Sequence, residues 1–537
     1  MLKRYATALL AALLVFTAFS VFAQEEVVDV DGLMKNFFAA STDEEKSKAV
    51  SLLRFSGIDA AKIESRLKKG RAYEKEVATG WQVLENKCTD GKERPYHLYV
   101  PEDYDPDHKY PLLYDLHGGI SRPSIVPVEM LKSRYQLWGP SAKEKDFLLI
   151  IPHGEGSATW WSKVGSDNIL QQLDYVKRHY NVDENKVFLS GFSDGGSGSY
   201  WMAFHRPTAF AGFIPLSGNM VVPRAGPYQC YPKNLGNRPI HATNGGRDSL
   251  YPSATMKQYV EKLNKAGADI DWKDYPEAGH DLGYMGEEIP RCLEFIGKTA
   301  RDPKYGKIHW RTADTEAGRC DWVVINEIKD VGNNANLKLH NLTSAPGRLI
   351  LGVVIDQSYQ GNGVRIQQVQ KGSVANGAGL SGGDIITKLD DTDIGGITDL
   401  QKVLRGKKHG DTIKGEYERG GQTGKFNGSF PEFKSEVAFK REKTTAAIEV
   451  KADGNKVDVK AMNVARFTLL INSDMFNIDE PVIVTLNGKE VGGAKVERDM
   501  VFMLERCAED NDREMVYCAK IEVEVPSKEK QDKEEEE

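Results

Sequence analysis

What the chain lacks narrows its function before any motif is considered. Its 71 Lys and Arg residues do not outnumber its 78 Asp and Glu, and the formal charge of −7 offers no basic surplus to hold a phosphate backbone. Nucleic acid is not expected as a partner. The sequence has no Cys-x-x-Cys pair and no Cys/His cluster at zinc spacing, so no metal is expected. The N-terminal apolar run, Ala8 to Phe19, falls short of the ~20 residues that cross a bilayer. With Lys3 and Arg4 before it and Val21-Phe22-Ala23 after it, residues 1–23 read as a cleaved signal peptide. The expectation is a secreted or periplasmic protein with no stable membrane span after cleavage, and an uncleaved anchor is the alternative. No cysteine follows the predicted cut, which removes lipoprotein attachment.

The cysteines are few but even in number: Cys88, Cys230, Cys292, Cys320, Cys507 and Cys518. In an oxidising compartment that pattern allows disulfides. Cys507 and Cys518 bracket a charged segment, Ala508 to Tyr517, with the look of a hairpin loop, and are the pair expected to bond.

What is present describes a folded chain: 40% hydrophobic residues, 28% charged residues and 51 Gly. At roughly 150 residues per domain, 537 residues imply three or four units. Residues 24–75 carry apolar positions at helical spacing, Leu33, Phe37, Phe38, then Val50, Leu53, Ile58, and predict a helical lead-in that packs or tethers. Over 76–300 short apolar runs such as Pro111 to Leu116, Phe147 to Ile151, Val187 to Leu189, Phe213 to Leu216 and Ile240 to Ala242 alternate with amphipathic stretches. One stretch lines up Ile169, Leu173, Val176 and Tyr180. The alternation predicts an α/β domain with a doubly wound, mostly parallel sheet. Residues 301–336 hold a strand candidate, Trp322 to Ile328, and a polar connection, Asp330 to Asn336. A separable unit follows over 337–433, an all-β module over 434–526, and a solvated charged tail over 527–537.

The chemistry centres on Gly191-Phe192-Ser193-Asp194-Gly195, placed between a predicted strand and a predicted helix. That context distinguishes a nucleophile elbow from an ordinary Gly/Ser turn. A serine needs a base to remove its proton and an acid to orient that base. Asp248, in a loop leaving the strand Ile240 to Thr243, and His280, in Ala278-Gly279-His280-Asp281, follow in the order Ser, acid, His. Asp271 and Asp274 are the alternative acids. His241, within a predicted strand, and His205, after the elbow, compete for the base. His117-Gly118-Gly119 ends another strand, and the N–H groups of Gly119 and Asp194 are the expected oxyanion donors. Ile120 stands where a longer HGGG motif has its last Gly, which leaves the second donor open.

The stretch from Tyr180 to Gly196, with the upstream His-Gly-Gly and the downstream Asp248 and His280, resembles secreted α/β-hydrolase esterases of the feruloyl esterase, polyhydroxybutyrate depolymerase and dienelactone hydrolase group over residues 76–300. The resemblance implies hydrolysis of a small-molecule or polysaccharide-linked ester through an acyl-enzyme, without a cofactor. Trp160 and Trp161 are candidates for an aromatic face toward a sugar or phenolic group, or for structural packing. Arg122 is a weaker candidate for holding an acidic substrate.

Residues 337–433 resemble a PDZ domain of the bacterial periplasmic type through Leu349 to Val353, Gly363 to Ile366, Gly372 to Ala375, Ala378-Gly379-Leu380 and Gly383 to Ile386. That resemblance implies a peptide C-terminus as partner, its carboxylate held by the N–H groups of Leu351, Gly352 and Val353. A spacer without peptide binding is the alternative. For the whole chain, the alternatives to an esterase are a prolyl oligopeptidase-like peptidase and a non-catalytic PDZ scaffold. Trp310 to Ile328 is expected to share a sheet with the C-terminal strands, which would make the PDZ unit an insertion.

Overall fold

The computed structural model describes residues 29–120, 128–329, 342, 349–356, 358–434 and 437–526. The signal segment, Arg122, the Asp330 to Asn336 connection and the charged tail lie outside them. Among the described residues no helix is long and apolar enough to cross a membrane.

Three helices open the described chain: α1 (Val30–Ala39), α2 (Asp43–Phe55) and α3 (Ala60–Lys69). Thr42 and Glu45 cap α2 reciprocally, each side chain bonding the other's backbone N–H. Their apolar faces, with Met34, Phe37, Val50, Leu53, Ile63 and Leu67, join the core of the C-terminal module.

The central domain is built on eight strands: β1 (Gly80–Lys87), β2 (Glu93–Val100), β3 (Tyr110–Leu116), β4 (Leu148–Pro152), β5 (Val182–Phe192), β6 (Gly212–Leu216), β7 (Ile240–Gly245) and β8 (Ile270–Tyr275). They run in the order β1-β2-β4-β3-β5-β6-β7-β8, antiparallel through β1, β2 and β4 and parallel from β4 to β8. Alternate residues of β3 face opposite sides: Leu112, Tyr114 and Leu116 enter one core, Leu113 the other. Helices α4 (Val128–Leu131), α5 (Tyr135–Glu144), α6 (Lys163–His179), α7 (Asp194–His205), α8 (Ser253–Lys265) and α9 (Met285–Lys298) complete the domain. The stripe Ile169, Leu173, Val176 and Tyr180 packs with α7 and α8 on one face of the sheet, while Trp138 of α5 and Cys292 of α9 pack on the other. This is the expected doubly wound α/β sheet.

Beyond it come β9 (Lys307–Thr312), β10 (Arg319–Cys320) and β11 (Val323–Ile328), then a second sheet system of β12 (Val353–Ile355), β13 (Val364–Val369), β14 (Ile385–Leu389), β15 (Thr392–Asp393), β16 (Thr412–Arg419) and β17 (Gln422–Ser429) with helices α10 (Val374–Gly377) and α11 (Ile397–Arg405). The chain closes with β18 (Ala446–Asp453), β19 (Lys456–Met462), β20 (Val464–Ile471), β21 (Val482–Leu486), β22 (Lys489–Ala494), α12 (Met500–Asp510) and β23 (Ala519–Glu524). β9 pairs with β18 and β11 with β20. The strands on both sides of the β12–β17 unit therefore share two sheets, β22-β21-β19-β18-β9 and β10-β11-β20-β23.

One expectation needs correction. Beside the β-sheets expected of the C-terminal module, helix α12 occupies part of the charged segment taken for a loop. Cys507 lies on α12, so it does not head a hairpin with Cys518; all six cysteines are unpaired and buried. Burial pushes the Cys507 thiol up to about 12 and that of Cys518 to about 11, which keeps both protonated.

Candidate active site

The elbow follows from crowding at the end of β5. Ser193 sits at φ +60°, ψ −117°, a region that side-chain-bearing residues seldom adopt and that costs of order 1–3 kcal/mol. The chain reverses from β5 into α7 with Ser193 as the single residue between them. At Gly195 a Cβ would stand 2.0 Å from the Leu116 carbonyl oxygen, so no larger residue fits against β3. Ser193 N–H donates to the Leu216 carbonyl at 3.0 Å, which ties the turn to β6.

Three side chains from separate loops meet there. Ser193 Oγ lies 2.8 Å from His280 Nε2, and His280 Nδ1 lies 2.7 Å from Asp248 Oδ2. With a carboxylate at Nδ1, the neutral imidazole carries its proton there and presents Nε2 as acceptor to the serine hydroxyl. The second Asp248 oxygen accepts the N–H groups of Leu250 at 2.8 Å and Tyr251 at 2.7 Å, and the residue is 3% exposed. The Tyr251 ring stands edge-on to His280 with centroids 5.3 Å apart, and Phe192 covers it from 5.1 Å. Burial pushes the Tyr251 hydroxyl up to about 12, with the Asp194 charge adding to the shift, so it stays a neutral donor.

The competing residues are engaged elsewhere. His241 is buried in β7, with Nδ1 2.8 Å from Asp271 and Nε2 2.7 Å from Glu288. Asp271 thus serves His241, while Asp274 lies opposite Asn244 in the β7–β8 register. His205 ends α7, where burial and the nearby Arg206 charge drive its imidazole down to about 3, neutral at physiological pH. Among the described residues, His241, Glu288 and Cys292 bring three donor atoms within 4.8 Å of one another. Glu288 already accepts from His241, Thr243 and Tyr275, so protein donors satisfy the group.

The loop after β3 lies directly on the serine: a Cβ on Gly118 would be 2.9 Å from that of Ser193. Gly119 has φ +68°, which its lack of a side chain permits. The backbone of this loop is held peptide by peptide. Trp160 Nε1 donates to the His117 carbonyl at 2.9 Å, and His117 Nδ1 lies 2.8 Å from the Gly118 carbonyl. Gly154 N–H donates to His117 Nε2 at 3.0 Å, which assigns the ring proton to Nδ1. Because a trans peptide sets its C=O and N–H in opposite directions, the Gly119 N–H faces away from the His117 ring. Asp194 opens α7, where the first N–H groups have no intrahelical acceptor. The structure also revises the tryptophan pair. Trp160 is fully buried in the core and faces no substrate, whereas Trp161 is partly buried against the same cluster. The His117 ring went unassigned in the sequence reading; the glycines after it were the signal that its neighbours bend sharply.

In the second sheet system, β12 is an edge strand. The Leu351 carbonyl accepts from Ala375 N–H at 2.8 Å and the Gly352 carbonyl from Gln370 N–H at 2.9 Å. The same peptide geometry turns the Gly352 and Val353 N–H groups away from those partners. Ile350, Val354 and, on α11, Ile397 are exposed apolar side chains of this unit.

Comparison with known proteins places these features. Residues 164–300 match the phospholipase/carboxylesterase family profile, and residues 349–429 match that of the PDZ domain. A bifunctional acetylxylan esterase/xylanase of Neocallimastix patriciarum is 30% identical over 139 residues, 25% of this chain and 20% of that protein. A probable feruloyl esterase C of Aspergillus terreus is 31% identical over 142 residues, 26% of this chain and 52% of that protein. The matches thus span about half the length of these relatives or less. Among solved structures, a thermostable esterase superposes with a TM-score of 0.34 at 22% identity, covering 41% of this chain and 63% of its own. The chain combines an α/β-hydrolase domain of the phospholipase/carboxylesterase kind with a PDZ domain and a C-terminal β-rich module.

Proposed function

We propose that the protein is an exported serine esterase that cleaves carboxylic esters through an acyl-enzyme. The reading rests on the unbroken hydrogen-bonded chain from Ser193 Oγ through His280 to Asp248. His280 Nε2 takes the Ser193 proton as Oγ bonds to the ester carbonyl carbon, and Asp248 stabilises the imidazolium that forms. The oxyanion is held by the N–H groups of Gly119 and Asp194. The carbon–oxygen bond to the alcohol then breaks, and His280 gives the alcohol its proton. Water, deprotonated by His280, attacks the acyl-serine; the acid leaves and Ser193 regains its proton. The relatives' names make feruloyl and acetyl esters of polysaccharides the first substrates to test.

Wild-type protein should hydrolyse short p-nitrophenyl esters, and Ser193→Ala should lower kcat by roughly a thousandfold or more. A panel of feruloyl, acetyl-sugar and peptidyl substrates ranks esterase against peptidase. If wild type and variant are equally inactive and a fluorophosphonate leaves Ser193 unlabelled, the enzyme reading fails.

The PDZ domain is proposed to take a peptide C-terminus as an added strand along β12, with its carboxylate on the Leu351 to Val353 backbone. Exposed Ile350, Val354 and Ile397 offer apolar contacts to the peptide. Amidation of a bound peptide's C-terminus should weaken binding at least tenfold by fluorescence polarisation, and equal binding of acid and amide forms rules out carboxylate capture.

A further inference from the structure

The oxyanion loop carries one clamp that the esterase reading leaves without a role. Asp194 Oδ2 accepts the Ile120 N–H at 2.9 Å, and Asp194 Oδ1 lies 3.4 Å from the Tyr251 hydroxyl. Asp194 follows the nucleophile, Ile120 follows Gly119, and Tyr251 donates its own N–H to Asp248 at 2.7 Å. One carboxylate therefore joins the elbow, the loop that holds the expected oxyanion donor and the segment that holds the acid.

The loop needs such a clamp for a definite reason. Trp160 pins the His117 carbonyl and the His117 ring pins the Gly118 carbonyl, so two successive peptides are fixed from one side. The next peptide, Gly119–Ile120, follows a glycine at φ +68°. Glycine leaves that peptide free to turn at little steric cost; the Gly119 N–H belongs to the preceding peptide, which the His117 ring holds, so a loose Gly119–Ile120 peptide would leave Gly119 anchored from that side alone. The Asp194 carboxylate holds it through the Ile120 N–H. In donating to Asp194, that N–H is spent on the loop and does not serve the oxyanion.

We propose that the Asp194 side chain is a positioning residue, which fixes the Gly119–Ile120 peptide so that the Gly119 N–H stays aimed at the tetrahedral oxyanion. This rests on the esterase reading and deepens it. The role belongs to the acceptor oxygen, not to the negative charge: an anion in the first turn of α7 also favours the helix, and the test must separate the two.

Asp194→Asn keeps an acceptor oxygen and removes the charge, whereas Asp194→Ala removes both. Steady-state kinetics on one p-nitrophenyl ester should show a kcat for the Asn variant at least about fivefold above that of the Ala variant. For the Ala variant kcat should fall roughly tenfold to a hundredfold with KM nearly unchanged, the loss expected when a transition-state donor is misplaced by about 1 Å. Affinity for a boronic acid, whose serine adduct presents a tetrahedral oxygen to the hole, should weaken in parallel with kcat. Circular dichroism and Tm confirm that each variant is folded. Should the Ala variant misfold, Tyr251→Phe tests the same clamp from its far side and should lower kcat severalfold at constant KM. Equal kcat in wild type and a folded Ala variant, or equal losses in Asn and Ala, overturns the inference. A wild type that neither turns over esters nor takes the boronic acid instead overturns the esterase reading.

Discussion

Asp512 lies just beyond α12 with its carboxylate almost fully buried between modules. Arg301 holds it at 2.8 and 3.0 Å, and Lys177 of α6 stands 3.5 Å away. Burial pushes this carboxyl up, but the charges of Arg301 and Lys177 outweigh it and hold the group well below the usual carboxylate range. A lowered folded value means that the unfolded chain binds the proton first. The contribution to stability is therefore complete above about pH 4, the ordinary Asp value, and drains away as pH falls toward the folded value. Asp512→Asn leaves two buried cations short of an anion and should cost roughly 3–5 kcal/mol in urea unfolding at pH 7. The gap between wild type and variant should shrink below pH 4, as the wild-type carboxyl protonates. An unchanged midpoint at pH 7 would show that the pair does not hold the modules together.

Which elements were legible in the sequence depended on whether a local pattern outweighed its surroundings. Strands β3 to β7 of the central sheet were plain because both faces are buried, which makes them continuous apolar runs such as Leu148 to Ile151, whereas the half-exposed β1 has no such run. The order of Ser193, Asp248 and His280 was legible for another reason: each sits on a loop at the end of a strand, and glycines mark such turns. α12 was missed although its signal was present. Met503, Leu504 and Cys507 recur at helical spacing and are buried, and Asp499 caps the start by accepting the Phe502 N–H. The acidic run after Cys507 hid that stripe, and two cysteines eleven positions apart suggested a bonded loop. The Trp160-Trp161 pair was beyond sequence alone. Neighbouring residues on a loop point in different directions, and only tertiary packing puts the Trp160 indole under the His117 carbonyl.

At the scale of the whole molecule, the PDZ domain interrupts one module, and the segments that flank it pack on another. β11 and β18 lie on either side of it in sequence, yet β11 pairs with β20 and β18 with β9, and their side chains share a single core with α1, α2 and α3. The flanking segments close on each other: Ala438 N–H donates to the Leu342 carbonyl at 2.6 Å. Both residues, with Phe439, are buried in the hydrolase core, where Phe439 meets Phe204 of α7 edge-on at 5.4 Å. The interrupted module is also bound to the hydrolase by Arg513, whose guanidinium meets Glu184 at 2.6 and 2.9 Å. A protease that cuts on both sides of the PDZ domain should therefore release a soluble piece of about residues 349–433 while the two flanks, with Leu342 and Ala438 still packed on the hydrolase, remain one particle on size exclusion. The flanks should part only in denaturant, because pulling them apart exposes buried strands such as β18, whose Ile448 and Val450 are almost inaccessible. Separation of the flanks in native buffer after cleavage would mean that the shared sheets do not hold the chain together, and the PDZ domain would then be a link between beads, not an insertion into a standing framework.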